Sequence, residues 1–279
     1  MNTVKNNKIK IMLLAVAVVA TALGVFRSVL LANYVEPETG FYVAGTNLGM
    51  VFNVAVAVFA VGVLALGLVT RKIKTSDYLD SKSMVVVFTS ALCAFIYFTV
   101  AIYGVFMLLN PSIDEITGLK KPMNYFLFLE VVLAVPCIFN HISICSKEVR
   151  EKNTPHALLG MSEALFFAVR TVEVFMDMTT QINTSQRSLE LLMLCSMMLF
   201  FLFEAGTLVK RKEGEISVTK YCLAGLATVA LPLITVLPHL VVSLFILCFD
   251  CEFVVMDVLE CSIMLFAASR LLTLKENKQ

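Results

Sequence analysis

Eight long apolar runs divide this chain of 279 residues. They cover Ile11–Ala32, Asn47–Thr70, Ser83–Leu109, Met123–Cys145, His156–Thr180, Ser188–Val209, Tyr221–Leu247 and Glu252–Leu274. A helix rises about 1.5 Å per residue and the hydrocarbon core of a bilayer is about 30 Å thick, so about 20 apolar residues cross it. Every run has that length. Inside lipid the backbone must satisfy its own hydrogen bonds, and a helix does this within one segment. The expected fold is therefore all-α, a polytopic bundle of eight transmembrane helices forming one integral membrane domain over residues 1–279. The composition agrees. Hydrophobic residues make up 59% of the chain and charged residues 15%, against about 25% charged in soluble domains. The lipid bilayer is the first expected partner. A net charge of +1 gives no basic bulk for nucleic acid.

The charges that remain set the orientation. Sixteen of the 22 Lys and Arg fall in the N-terminal segment, in the connections after the second, fourth and sixth runs, and in the tail. Three fall in the other connections: Lys120, Lys121 and Arg187. The last three, Arg27, Arg170 and Arg270, lie inside runs. Basic residues collect on the cytoplasmic side, so both termini are expected there. The first run is expected to be a retained helix rather than a signal sequence, from its length.

The first outer connection reads Pro37-Glu38-Thr39-Gly40-Phe41. An opening helix followed by this motif, then by further hydrophobic spans, resembles uncharacterised multi-pass membrane proteins of Gram-positive bacteria. The resemblance implies a bacterial cell membrane as the location. It brings no activity with it.

Short matches join runs four apart. Arg27-Ser28-Val29 matches Arg170-Thr171-Val172, and the basic stretches Arg71-Lys72 and Arg211-Lys212 follow similar residues. Four spans is an even number, so the two halves, 1–150 and 151–279, would be parallel four-helix repeats of the kind some transporters have.

The strongest functional signal is the fifth run. Glu163, Arg170, Glu173 and Asp177 lie within roughly 80° of one another at a helical 100° per residue. Such a stripe cannot face lipid. A charge at mid-membrane costs at least ~2.5–3.5 kcal/mol, so it marks a buried network or a polar path. Glu173 is placed to pair with Arg170 along the helix. Depth matching offers Arg27 as a partner near Glu173 and Asp177, which predicts a charged seam between the first and fifth helices. It puts Glu204 and Arg270 together nearer Glu163. Glu130, Asp257 and Glu260 form a further set of intramembrane carboxylates. Pro232 and Pro238 break the seventh run, freeing the carbonyls of Thr228 and Ile234, with His239 beside the second break. A plain kink is the simpler reading of the two prolines.

Arg27, Glu130, Glu163, Arg170, Glu173, Asp177, Glu204 and His239 are thus the candidate path residues. Two readings stay open. One is a transporter or permease for a small solute or ion. The other is a non-transporting sensor or accessory subunit, partnered by other membrane subunits or a second copy. Cys248 and Cys251 form a Cys-x-x-Cys, a redox pair in some membrane enzymes. No second outer cysteine pair exists to resolve it. The chain holds no phosphate loop, His-Glu-x-x-His or Gly-x-Ser-x-Gly motif, so no cofactor or metal is expected and the reading leans away from an enzyme, with a redox enzyme using Cys248 and Cys251 as the third reading.

Overall fold

The computed structural model describes residues 8–34, 47–70, 83–110, 125–146, 154–176, 185–208, 218–246 and 251–274. These form eight α-helices: α1 Lys8–Asn33, α2 Leu48–Val69, α3 Met84–Leu109, α4 Tyr125–Ser146, α5 Thr154–Met176, α6 Ser185–Leu208, α7 Val218–Ile246 and α8 Cys251–Thr273. Each lies on one of the apolar runs. Six of them, α1 to α4, α6 and α7, are long and apolar enough to cross a membrane. The chain therefore has the helices of an integral, multi-pass membrane protein. α5 and α8 carry more charge along similar lengths. The motif Pro37–Phe41 and the candidate Asp177 lie outside the described residues, as does Cys248.

The helices close into a ring. α3 packs on α4, α4 on α5, α5 on α6, α6 on α7, α7 on α8, and α8 returns to α3. α1 and α2 stand outside the ring against α7, and α1 also touches α8. Side-chain pairs show that successive helices run antiparallel. Late residues of α5 and α7 meet early residues of α4 and α8, as in Arg170–Glu130 and His239–Asp257. At the other end, late residues of α4 and α6 meet early residues of α5 and α7, as in His141–Glu163 and Tyr221–Glu204. One end of the bundle, called the upper end below, thus gathers the C-termini of α1, α5 and α7 and the N-termini of α4, α6 and α8.

The outer surface is apolar. Val54, Val58, Val61 and Leu68 of α2, Phe88 and Phe95 of α3, and Phe139 of α4 are exposed. A soluble bundle would place polar residues there. These faces suit hydrocarbon.

The lumen of the ring is filled by aromatic side chains, at least one from each of its six helices. Phe167 of α5 stacks on Phe201 of α6 with centroids 5.9 Å apart, and Phe201 stacks on Phe266 of α8 at 6.1 Å. His141 of α4 meets Phe266 edge-on at 5.0 Å, Tyr97 of α3 meets Phe166 at 5.3 Å, and Tyr221 of α7 leans on Phe200 at 5.4 Å. All of these rings are buried. Edge-to-face and offset contacts add about 0.5–1.5 kcal/mol each beyond the area they bury. The ring is a packed core rather than an open pore.

Close packing of α1 on α7 depends on one glycine. A Cβ at Gly24 would overlap the carbonyl oxygen of Leu233 and lie 3.3 Å from its carbon. Only the absence of a side chain lets α1 approach the α7 backbone this closely.

Candidate functional site

A cavity of about 80 Å³ lies toward the upper end, where α1, α5, α6, α7 and α8 meet. Its charged lining comprises Arg27 from α1, Arg170 from α5, Glu190 from α6, His239 from α7, and Asp257 and Glu260 from α8. All six sit within about three helical turns of the same end, so they share one level of the bundle. Thr235, Met193, Val236 and Met256 complete the wall.

Arg170 is anchored by two carboxylates. Its Nη1 lies 2.7 Å from Glu173 Oε2, one turn along α5, and 3.9 Å from Glu130 Oε1 across on α4. Glu173 was legible as a partner from spacing. Glu130 was not, because only the fold brings α4 to that face. His239 Nδ1 lies 2.6 Å from Asp257 Oδ2, joining α7 to α8. His239 is the more open of the two, with 39% of its side chain exposed against 14% for Asp257.

Arg27 takes up the carbonyl that Pro238 sets free. Its Nη1 donates to Ile234 O at 3.2 Å. Proline lacks the N–H that would have bonded this oxygen. Gly24, one turn before Arg27, is what brings the guanidinium within reach. The α7 break therefore does not present a bare Ile234 carbonyl to a solute. The guanidinium carbon also lies 6.0 Å from the centroid of Phe52 on α2.

The predicted seam between the first and fifth helices has Arg27 and Arg170 lining one cavity, and its further member Asp177 lies outside the described residues. α5 packs between α4 and α6, whereas α1 packs on α7, so Arg27 and Arg170 reach that cavity from different sides.

The stripe on α5 faces inward at Glu163, Arg170 and Glu173, but it serves two sites. Glu163 is fully buried, one and a half to two turns below Arg170. Its Oε1 accepts a hydrogen bond from Asn140 Nδ2 and lies 3.3 Å from His141 Nε2. The Nδ1 of His141 lies 2.9 Å from Ser90 Oγ on α3. Ser, His and Glu in series have the composition of a catalytic triad. Ser90, His141 and Glu163 are each 0% exposed, however, and His141 is hemmed by Tyr97, Phe201 and Phe266. A substrate would have to displace that aromatic packing. The group ties α3, α4 and α5 together.

Glu204 belongs to a third cluster near the lower end. Its Oε1 accepts from Arg270 Nη2 at 2.6 Å and its Oε2 from the Tyr221 hydroxyl at 2.6 Å. Arg270 also lies 5.4 Å from the Phe266 centroid. This links α6, α7 and α8, and it agrees with the shared depth of Glu204 and Arg270 read from the sequence.

Two further residues escaped the sequence reading. Arg187, assigned there to a loop, lies inside α6 and is buried, and its Nη2 donates to Val174 O in the last turn of α5. A cation capping the carbonyl end of a helix is favourable. Glu190, two residues into the sixth run, lines the cavity. The charge of each was visible, but its direction awaited the packing of α6. Cys251 opens α8. Among the described residues no group of three or more His, Cys, Asp or Glu is arranged to hold a metal.

No family model, curated protein or solved structure matches this chain.

Proposed function

We propose that the chain is an eight-span integral membrane protein that moves a small ion or solute, with both termini in the cytoplasm of a bacterial cell. Under this orientation the cavity opens toward the outside. α5 and α8 count as spans in this reading. Each has 23 residues, about 34 Å at helical rise, and each packs between two neighbours in the ring, which shelters its charges from lipid.

The observation that carries the reading is the cavity itself. Intramembrane charges mark ion and substrate paths when they face a polar cavity, and this one gathers two arginines, a histidine and three carboxylates. Below it the aromatic core closes the ring. A charged vestibule above a closed constriction is the arrangement expected of a transporter resting with one gate shut. The alternative, a non-transporting subunit, draws on Glu163 and Glu204. Both are candidate path residues, and both are locked into compact polar clusters that act as helix fasteners.

The test is flux. The purified full-length protein is reconstituted into liposomes carrying a pH-sensitive dye, and a potassium potential is imposed with valinomycin. Protein-dependent movement of protons, or of a solute from a panel of amino acids, sugars and inorganic ions, is expected. Its reduction by Arg170→Gln would link it to the cavity. Rates equal to empty liposomes across the panel would leave the subunit reading in place.

A further inference from the structure

The carboxylates around the cavity are not all neutralised. Helix by helix, the charged and titratable groups near it are Arg27 on α1, Glu130 on α4, Arg170 and Glu173 on α5, Arg187 and Glu190 on α6, His239 on α7, and Asp257 and Glu260 on α8. α2 and α3 contribute no Asp, Glu, Lys, Arg or His over the described residues. Arg170 is engaged by Glu173 and Glu130. His239 is engaged by Asp257. Arg187 is turned onto Val174 O and Arg27 onto Ile234 O. Glu260 has no hydrogen-bond or ion-pair partner among the described residues, yet it lines the cavity and is only 7% exposed. Glu190 also faces the cavity without such a partner.

We propose that Glu260 carries an exchangeable proton, and that His239 and Asp257 pass it to and from the cavity mouth. A buried carboxylate without a partner does not remain a bare anion; it takes up a proton or another cation. The described carboxylates do not converge into a metal-holding group, which favours the proton. The size of the space agrees. It is about half the ~150 Å³ cavity that admits benzene, so it suits a few waters rather than a metabolite. Asp257 and Glu260 lie one turn apart on the same face of α8. His239, the most exposed member, bonds to Asp257 through Nδ1. In the inward step the imidazole gains a proton from outside and releases another to Asp257, and Asp257 returns to its anion as cavity water relays that proton to a Glu260 oxygen. Only N–H and O–H bonds form and break, and the return step restores each group.

The inference rests on the cavity that also supports the transport reading. Binding is measured apart from flux, so the two can fail separately. Infrared difference spectra of the full-length protein in lipid are recorded between acidic and alkaline pH. The wild type is expected to show a protonated-carboxyl band that disappears at alkaline pH and is missing in Glu260→Gln. Glu260→Asp should keep the band at a shifted frequency, and this variant serves if Glu260→Gln does not fold. A band that persists unchanged in both variants, or no such band in the wild type, overturns the proposal. Loss of the band on adding sodium chloride, but not choline chloride, at fixed pH would overturn it in favour of a metal cation. A band attributable to Glu260 without liposome flux would uphold the proton site and sink transport.

Discussion

Gly24→Ala tests the joint between α1 and α7. The added methyl would overlap Leu233 O and lie 3.3 Å from Leu233 C. Nonbonded atoms settle near 3.5 Å, so relief requires the helices to part by on the order of 1 Å. That stretches the Arg27–Ile234 bond, now 3.2 Å, to about 4 Å, beyond useful hydrogen-bond range. Overpacking costs about 1–3 kcal/mol and losing a charge-assisted bond about 1.5–3 kcal/mol. Better helix propensity returns up to about 1 kcal/mol. The expected net loss is roughly 2–4 kcal/mol. Gly62→Ala is the matched control, because nothing lies within 4 Å of a Cβ there, and it should be neutral or mildly stabilising. Unfolding is followed in detergent micelles for each variant and again in an Arg27→Ala background, where the penalty of Gly24→Ala should shrink by the share owed to the bond. If Gly24→Ala is as stable as Gly62→Ala, the close approach does not govern the joint. An unchanged penalty in the Arg27→Ala background would refute the coupling to Ile234 O.

The lower-end cluster predicts that Glu204→Ala, by stranding buried Arg270, costs about 3–5 kcal/mol, whereas pairing it with Arg270→Met recovers most of the loss in the same unfolding assay. Ser90 is expected to resist labelling by a fluorophosphonate probe in the folded protein, and labelling abolished by Ser90→Ala would show that the Ser90–His141–Glu163 group is accessible after all. If α5 crosses the membrane, then in a background with the native cysteines replaced by Ala, Lys152→Cys and Asn183→Cys should react with an impermeant maleimide from opposite faces of the membrane; labelling from one face alone would reduce the span count.

The helices themselves were the most legible part of the sequence. Runs of 20 or more apolar residues leave a chain in lipid little choice, and the observed α3 and α8 begin within one residue of the reading. Level was legible too. Glu204 and Arg270 were matched by depth and do pair. Arg170 and Glu173 were matched by helical spacing and do pair. Direction around the bundle was not legible. Almost any side of these helices is apolar enough to face lipid or a neighbour, so the sequence does not say that α1 stands outside the ring or that α4 delivers Glu130 to Arg170 and Asn140 to Glu163. Glu163 illustrates the cost. Its charge and facing were read correctly, but its partners come from α4, and they separate it from the Arg170 site.

The grip on α7 gives the bundle a stiff side and a jointed side. α3 to α6 are knit by aromatic stacking and by the buried Ser90–His141–Glu163 contacts. α7 carries both prolines and is held by α1, whose Arg27 occupies the carbonyl released at the second break. If α7 flexes there, Arg27 and His239 travel with it as a single wall, while Arg170 stays fixed to α4 and Glu260 to α8. Such a movement changes which charges face Glu260 without separating Arg27 from the helix it braces. A bend at the proline break would thus carry an electrostatic load, changing the field around one carboxyl group.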